Sequence, residues 1–160
     1  MGFRFLLSKR HANPTDAGLD VPKLLVRNRT RGAAILADSA DVAASSTARR
    51  KGLLGRHTLA AGEGLWIAPC ESIHTCGMKF PIDVIYLDRK KRVRKTRASV
   101  APWRLSMCFL AQSVLELPAG TIGRTQTRPG DQLELSPMSQ NSPPGNRENG
   151  QRSDTKAIEV

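Results

Sequence analysis

Pro81 to Val100 reads PIDVIYLDRKKRVRKTRASV, and the periodicity of this stretch decides the fold. Ile82, Val84 and Tyr86 alternate with Asp83, Ile85 and Leu87, which is the period of a strand with two distinct faces. Asp88 to Lys91 forms a polar turn, and a second strand of alternating charge follows it, so the stretch predicts a β-hairpin. Both neighbouring regions carry the same kind of signal. KLLVRNRTRGAAILA, residues 23–37, predicts two short strands joined by a polar turn that ends at Gly32, and ADVAAS, residues 40–45, a third. STARRKGLLG, residues 46–55, predicts a short helix capped by Ser45 or Ser46 and closed near Gly52 or Gly55. GEGLWIAPC turns at Gly62 to Gly64 and runs into a strand. SVLELPAG, residues 113–120, is another strand ending at Pro118, whose fixed φ suits the first turn of a short helix in AGTIGRTQT. RPGD is a turn, and QLEL is the last strand.

Many short strands, two short helices and no regular strand–helix alternation predict an α+β fold. The sheet is expected to be mostly antiparallel and curled into a partly closed, barrel-like form that hides its edges. A chain of 160 residues is one domain by length. Its aromatics are four Phe, two Trp and one Tyr, so the core must be aliphatic. Residues 1–22 read as a flexible N-terminal segment and residues 23–136 as the single domain. From 137 to 160 the composition of Ser, Pro, Asn and Gly buries too little apolar area to offset chain entropy, which predicts a disordered tail.

No stretch approaches the roughly 20 apolar residues that a spanning helix needs. The apolar patch before Lys9 and Arg10 is too short for a secretory core. The expectation is a cytoplasmic protein with no membrane partner. Three cysteines cannot all pair within one chain, and a reducing compartment keeps them as thiols. The net charge is +11, and the basic excess falls within residues 23–136. Such a surface attracts anions, whether small ligands, nucleic acid or an acidic protein.

Ahead of the hairpin lies CESIHTCGMKF, in which Cys70, His74 and Cys76 form a C-x3-H-x-C cluster. Zinc requires four N or S ligands, usually in two pairs. Cys108 lies in an apolar stretch with no His near it, and His11 and His57 are isolated, so no metal or other cofactor is expected and the sulfurs read as packing. A Cys–His nucleophile pair would need an orienting third residue, and nothing marks one.

ARRKGLLGR, GEGLWI, HTCGMKFPIDVIYLD and SVLELPAGT together resemble the bacterial and archaeal family catalogued as domain of unknown function 192, in the family's order across most of residues 23–136. GLLGR, from Gly52 to Arg56, and Met78, Pro81 and Asp83 carry the match. The resemblance implies the fold more than an activity, since the family is uncharacterised. Where the family usually places an aromatic residue, this chain has Cys76, which looks like a packing substitution.

Asp83 stands in an apolar strand, where an unpaired carboxylate costs several kcal/mol. Either it accepts hydrogen bonds from loop N–H groups or from Arg56, or it lines a polar pocket with His74 and Arg56. Arg56, His74, Met78 and Asp83 are therefore the candidate ligand-binding residues. Arg89, Lys90, Lys91, Arg92, Arg94, Lys95 and Arg97 form a basic run at the hairpin, readable as a solvated edge or as a phosphate-binding element. Three functions follow. The leading one is a non-catalytic domain binding an anionic ligand or protein partner in a cleft bounded by GLLGR, HTCGM and APWRLSMCFLAQ. The second is a nucleic-acid module using residues 89–97, and the third is a hydrolase or transferase with Asp83 and His74 as base and acid.

Overall fold

The computed structural model describes residues 23–43 and 45–138; the segments read above as a loose N-terminus and a tail lie outside these, apart from Pro137 and Met138. In chain order the elements are β1 (Leu24–Asn28), β2 (Ala34–Ala43), α1 (Ser46–Lys51), β3 (Glu63–Ile67), β4 (Ser72–His74), β5 (Ile82–Leu87), β6 (Val93–Val100), β7 (Leu105–Met107), β8 (Ser113–Pro118), α2 (Thr121–Thr125) and β9 (Leu133–Pro137). Seven strands form one sheet in the order β6-β5-β8-β3-β2-β1-β9, and β4 pairs with β7 in a separate ribbon. All pairings are antiparallel except β2 with β3. The parallel pair needs a crossover connection, and α1 lies within it. Ser45 starts α1 by accepting a hydrogen bond from the Ala48 N–H, and Gly52 ends it at φ 49°, a left-handed value that favours glycine.

The sheet curls into a half-barrel. Its two outer strands meet only where they begin: Val93 N–H donates to Asp131 O at 2.8 Å, Gly130 N–H to Val93 O at 2.8 Å, and Leu133 N–H to Lys91 O at 3.0 Å. A buried polar knot holds that seam. Asn28 Nδ2 donates to Thr127 Oγ1 and to Asp131 Oδ2, which also accepts from Arg31 Nε and the Arg128 N–H. Burial alone would raise the pKa of Asp131, but these bonds outweigh it and hold the carboxyl below its ordinary range.

Two sequence expectations change, and two strands are added. The strand foreseen in ADVAAS is the second half of β2: Asp38 and Ser39 sit where the β1–β2 register shifts, and the strand runs on through them without a turn. Pro118 closes β8, and Gly120 at φ 91° occupies the cap position of α2. The ribbon strands β4 and β7 are three residues each, too short to leave a periodic signal.

Every residue of β5 is buried, because both faces of the sheet centre are covered. Ile82, Val84, Tyr86 and Val114 join one apolar cluster with Leu53, Ile73 and Met78. Ile85, Leu87, Leu115 and Leu117 join the other with Val26, Leu36, Ile122 and Leu133. Asp83 points to this second side and is fully buried. Its Oδ1 accepts from the Ser99 N–H at 2.8 Å and its Oδ2 from the Ile122 N–H at 2.7 Å. Ser99 sits at φ 48° where the β5–β6 register slips between Ile82 and Val84, so the irregularity presents the donor. Gly120 supplies no side-chain cap for α2, and Asp83 takes that role from another element. Asp83→Ala should therefore strip two backbone donors at once and lower stability by about 2–4 kcal/mol. Urea unfolding checks this, with faster exchange of the Ser99 and Ile122 amides; a loss within ordinary surface variation would show that Asp83 does not hold β6 and α2.

Candidate functional site

β8 carries a second carboxylate, Glu116, directly opposite Val84 of β5. Neighbouring strand residues face opposite ways, so Glu116 projects to the side of Val114, away from Leu115, Leu117 and Asp83. It is 4% exposed, and its Oε2 is buried without a hydrogen-bond partner. Burial pushes its pKa from 4.5 up to about 7. Buried polar atoms are nearly always paired, so an unpaired one beside open space points to a function for that space.

The space is a cavity of about 230 Å³ between the sheet and the α1 turn. Ile67, Ile73, Met78 and Leu53 give it apolar walls, and Glu116 stands among them. The backbone at Gly52 lies near the carboxyl: a Cβ there would be in ordinary contact with Oε2, at 3.9 Å. Arg49, Arg50 and Lys51, the last turn of α1, also line the cavity, with His74 from β4. Ala48 packs α1 onto the first cluster, and Leu53 is buried in it, so the three cations are held over the opening by a docked helix. The resulting chemistry is an undissociated carboxyl able to donate a hydrogen bond, an apolar surface beside it, and positive charge at the mouth.

The residues singled out from the sequence separate. His74 and Met78 line this cavity. Arg56 bonds Asp41 of β2, whose other oxygen takes Lys23, and it lines a neighbouring depression of about 300 Å³ with Lys51 and Leu54. Asp83 is met by backbone N–H groups, so Arg56 is not its donor, and the sheet lies between Asp83 and His74. No acid–base pair of Asp83 and His74 is assembled. GLLGR and HTCGM both border the cavity, whereas APWRLSMCFLAQ does not.

The cysteines are thiols. Cys70 and Cys108 pack against the first cluster, and Cys70 Sγ donates to Ser72 O at 3.0 Å. Burial raises the Cys70 pKa, which disfavours the thiolate a nucleophile needs. Cys76 is half-buried in the turn after β4, outside both clusters, so it does not fill a core position. Among the described residues no three His, Cys, Asp or Glu side chains are placed to share a metal ion.

The basic run does not form one stripe. Lys91 Nζ lies 4.6 Å from the centre of the Trp66 ring, and Trp66 packs against the second cluster. Lys95 lies over Tyr86 of the first cluster and donates to Met107 O. Arg97 stands opposite Val84 on that same side. Arg89 Nε donates to Gln112 Oε1, while Lys90, Arg92 and Arg94 are exposed.

Glu116 was the residue that sequence reasoning passed over. Its signal was in SVLELPAG, where a carboxylate interrupts Val114, Leu115 and Leu117, the same anomaly that singled out Asp83.

Two solved structures share the fold. One is a protein of unknown function from Novosphingobium aromaticivorans, 24% identical, with a TM-score of 0.61 over 70% of this chain and 83% of that one. The other, from Sinorhizobium meliloti, is described as a candidate transcription regulator; it is 23% identical, with a TM-score of 0.64 over 74% of this chain and 98% of that one. Among curated proteins none matches. The family model DUF192, described as an uncharacterized ACR, matches residues 26–135, and the chain belongs to that family.

Proposed function

We propose that this domain is a non-catalytic binding module for a small amphipathic anion, held between α1 and the sheet centre. The observation that carries this reading is Glu116, whose buried Oε2 has no hydrogen-bond partner and which lines an apolar cavity together with Arg50, Lys51 and His74. In this reading the ligand's charge rests near the cations of α1, its apolar body lies against Ile67, Ile73 and Met78, and an acceptor atom takes the Glu116 proton. A carboxyl near neutrality also suits general acid catalysis. Against that stands the raised pKa of the nearby Cys70 thiol, which disfavours the thiolate a nucleophile needs. A nucleic-acid role for residues 89–97 has less support, since Lys91 and Lys95 turn to opposite sides of the sheet.

Native mass spectrometry of freshly purified protein tests the binding, followed by thermal shift with short branched 2-oxocarboxylates and, for comparison, inorganic phosphate. The expectation is a retained small anion or a carboxylate-specific rise in melting temperature, each lost in a Arg50→Glu, Lys51→Glu variant. A protein that holds nothing and responds equally to both probes, with or without the substitutions, would overturn the reading.

The titration of Glu116 has its own consequence. An acid whose folded-state pKa stands above its unfolded value destabilises the fold as pH rises. The penalty is absent below about pH 4.5, grows up to about pH 7 and is constant beyond. A shift of this size corresponds to about 3 kcal/mol. Between pH 5 and pH 8, where most of this change falls, wild type should therefore lose about 2–3 kcal/mol more stability than Glu116→Gln, measured by urea unfolding. Parallel profiles would mean that the carboxyl titrates normally.

A further inference from the structure

The segment from Trp103 to Leu110 projects large apolar side chains into solvent: Trp103 is 67% exposed, Leu105 74%, Phe109 78% and Leu110 67%. Met107, at 48%, completes the series. In the β4–β7 ribbon Leu105 stands opposite His74 and Met107 opposite Ser72 on the outer face, while Ile73 and Ser106 turn inward. The ridge is tied down at both ends. Thr75 Oγ1 donates to Ala101 O at 2.8 Å and accepts from the Arg104 N–H at 2.9 Å, and the Trp103 N–H donates to Thr75 O at 3.0 Å. Beyond β7, the Cys108 N–H donates to Glu71 O at 2.8 Å. Trp103 is held at φ 62°, a left-handed conformation that costs a bulky residue energy and persists only where its surroundings impose it. The backbone that presents the indole to solvent is thus held in place.

Cations flank the ridge. Arg89 and Lys90 share a cleft with Phe109 and Leu110. Lys95 reaches Met107 O, Arg97 lies on the same side of β6, and Arg104 is within the ridge and bonds Trp103 O. Glu71 and Asp88 are the acidic groups of that cleft, and Asp88 Oδ1 already accepts from the Lys90 and Arg92 N–H groups.

We propose that the ridge docks this domain on an anionic lipid surface, with Trp103, Leu105, Met107, Phe109 and Leu110 entering the headgroup boundary and the flanking cations meeting lipid phosphates. Amphipathic surfaces of this composition bind in that way, through buried apolar area together with attraction to anionic headgroups. A phosphate backbone would leave the five apolar groups without a partner. An acidic protein partner needs a complementary surface, whereas Trp103, Leu105 and Met107 stand out from the domain and Phe109 and Leu110 edge a cleft that bears Arg89 and Lys90, a mixed apolar and cationic relief that a fluid bilayer accepts in any register. The sequence expectation of no membrane partner considered spanning and secretory segments. Among the described residues no helix is long and apolar enough to cross a membrane, and peripheral docking requires none.

Vesicle co-sedimentation tests the proposal, comparing phosphatidylcholine alone with its mixture with phosphatidylglycerol. Leu105→Ser with Phe109→Ser keeps every charge and alters only exposed positions, and circular dichroism with thermal melting verifies its fold. The full chain should bind the anionic vesicles, and the variant should bind them roughly tenfold or more weakly. Bromolipid should quench the tryptophan emission of the wild type, and Trp103→Phe, which retains Trp66, should lose that quenching. No binding to the anionic vesicles would overturn the proposal. So would equal binding by the serine variant, which would reduce the interaction to charge alone, or a stable dimer that the serine variant dissolves, which would assign the ridge to a second copy of the chain.

Discussion

The pairing of β5 with β8 is the constraint on which the rest of this structure depends. Both strands are covered on both faces, by the half-barrel interior on one side and by α1 and the β4–β7 ribbon on the other. A strand buried twice has no solvent-facing row, so any polar side chain on it must be matched inside the protein or answer to something that enters. This explains why the two carboxylates of the pair have such different surroundings. Asp83 and Glu116 are near neighbours across the pairing, since Asp83 faces Leu117 and Val84 faces Glu116, yet they look into opposite halves of the core.

Asp83 receives one N–H from a strand irregularity and one from a helix start, and so joins three elements without charge compensation from a side chain. Glu116 receives none at Oε2 and keeps its proton to about neutral pH. The same desolvation acts on both groups, and the donors differ. Where donors are present the carboxylate is a fastening; where Oε2 lacks one beside open space, the carboxyl stays protonated to about neutral pH and lines the cavity. Gly52 belongs to the same arrangement, since only a residue free to take φ 49° lets the α1 turn close over Glu116.

Closure of the half-barrel uses a different device. The Asn28–Asp131 knot and the three backbone bonds near Val93 fasten the ends of an otherwise open sheet. The basic hairpin is drawn into this fastening, since Lys91 packs over Trp66 and its carbonyl accepts from Leu133. A run that is uniform in sequence is thereby divided among two sides of the sheet and the solvent. The cations that lean toward β7 border the exposed apolar ridge.

Strand periodicity in PIDVIYLD, the glycine stops of GLLGR and the apolar run of SVLELPAG were enough to establish an α+β fold with a curled, mostly antiparallel sheet, because local alternation and turn chemistry act over a few residues. The helix cap at Ser45 and the turn at Asp88 were legible for the same reason. The sequence also determined that Asp83 needed donors. It did not determine which donors, because Ser99 and Ile122 lie 16 and 39 residues away along the chain and nothing local marks their N–H groups as free. His74 and Met78 were legible as candidates, but Glu116 joined them through the pairing of β8 with β3 and β5, and the cations of α1 through the β2–α1–β3 crossover. Both carboxylates interrupt apolar strands in the same way; only the tertiary structure decided which was satisfied, because hydrogen-bond donors and open space are set by the elements that pack over a strand and not by the strand itself.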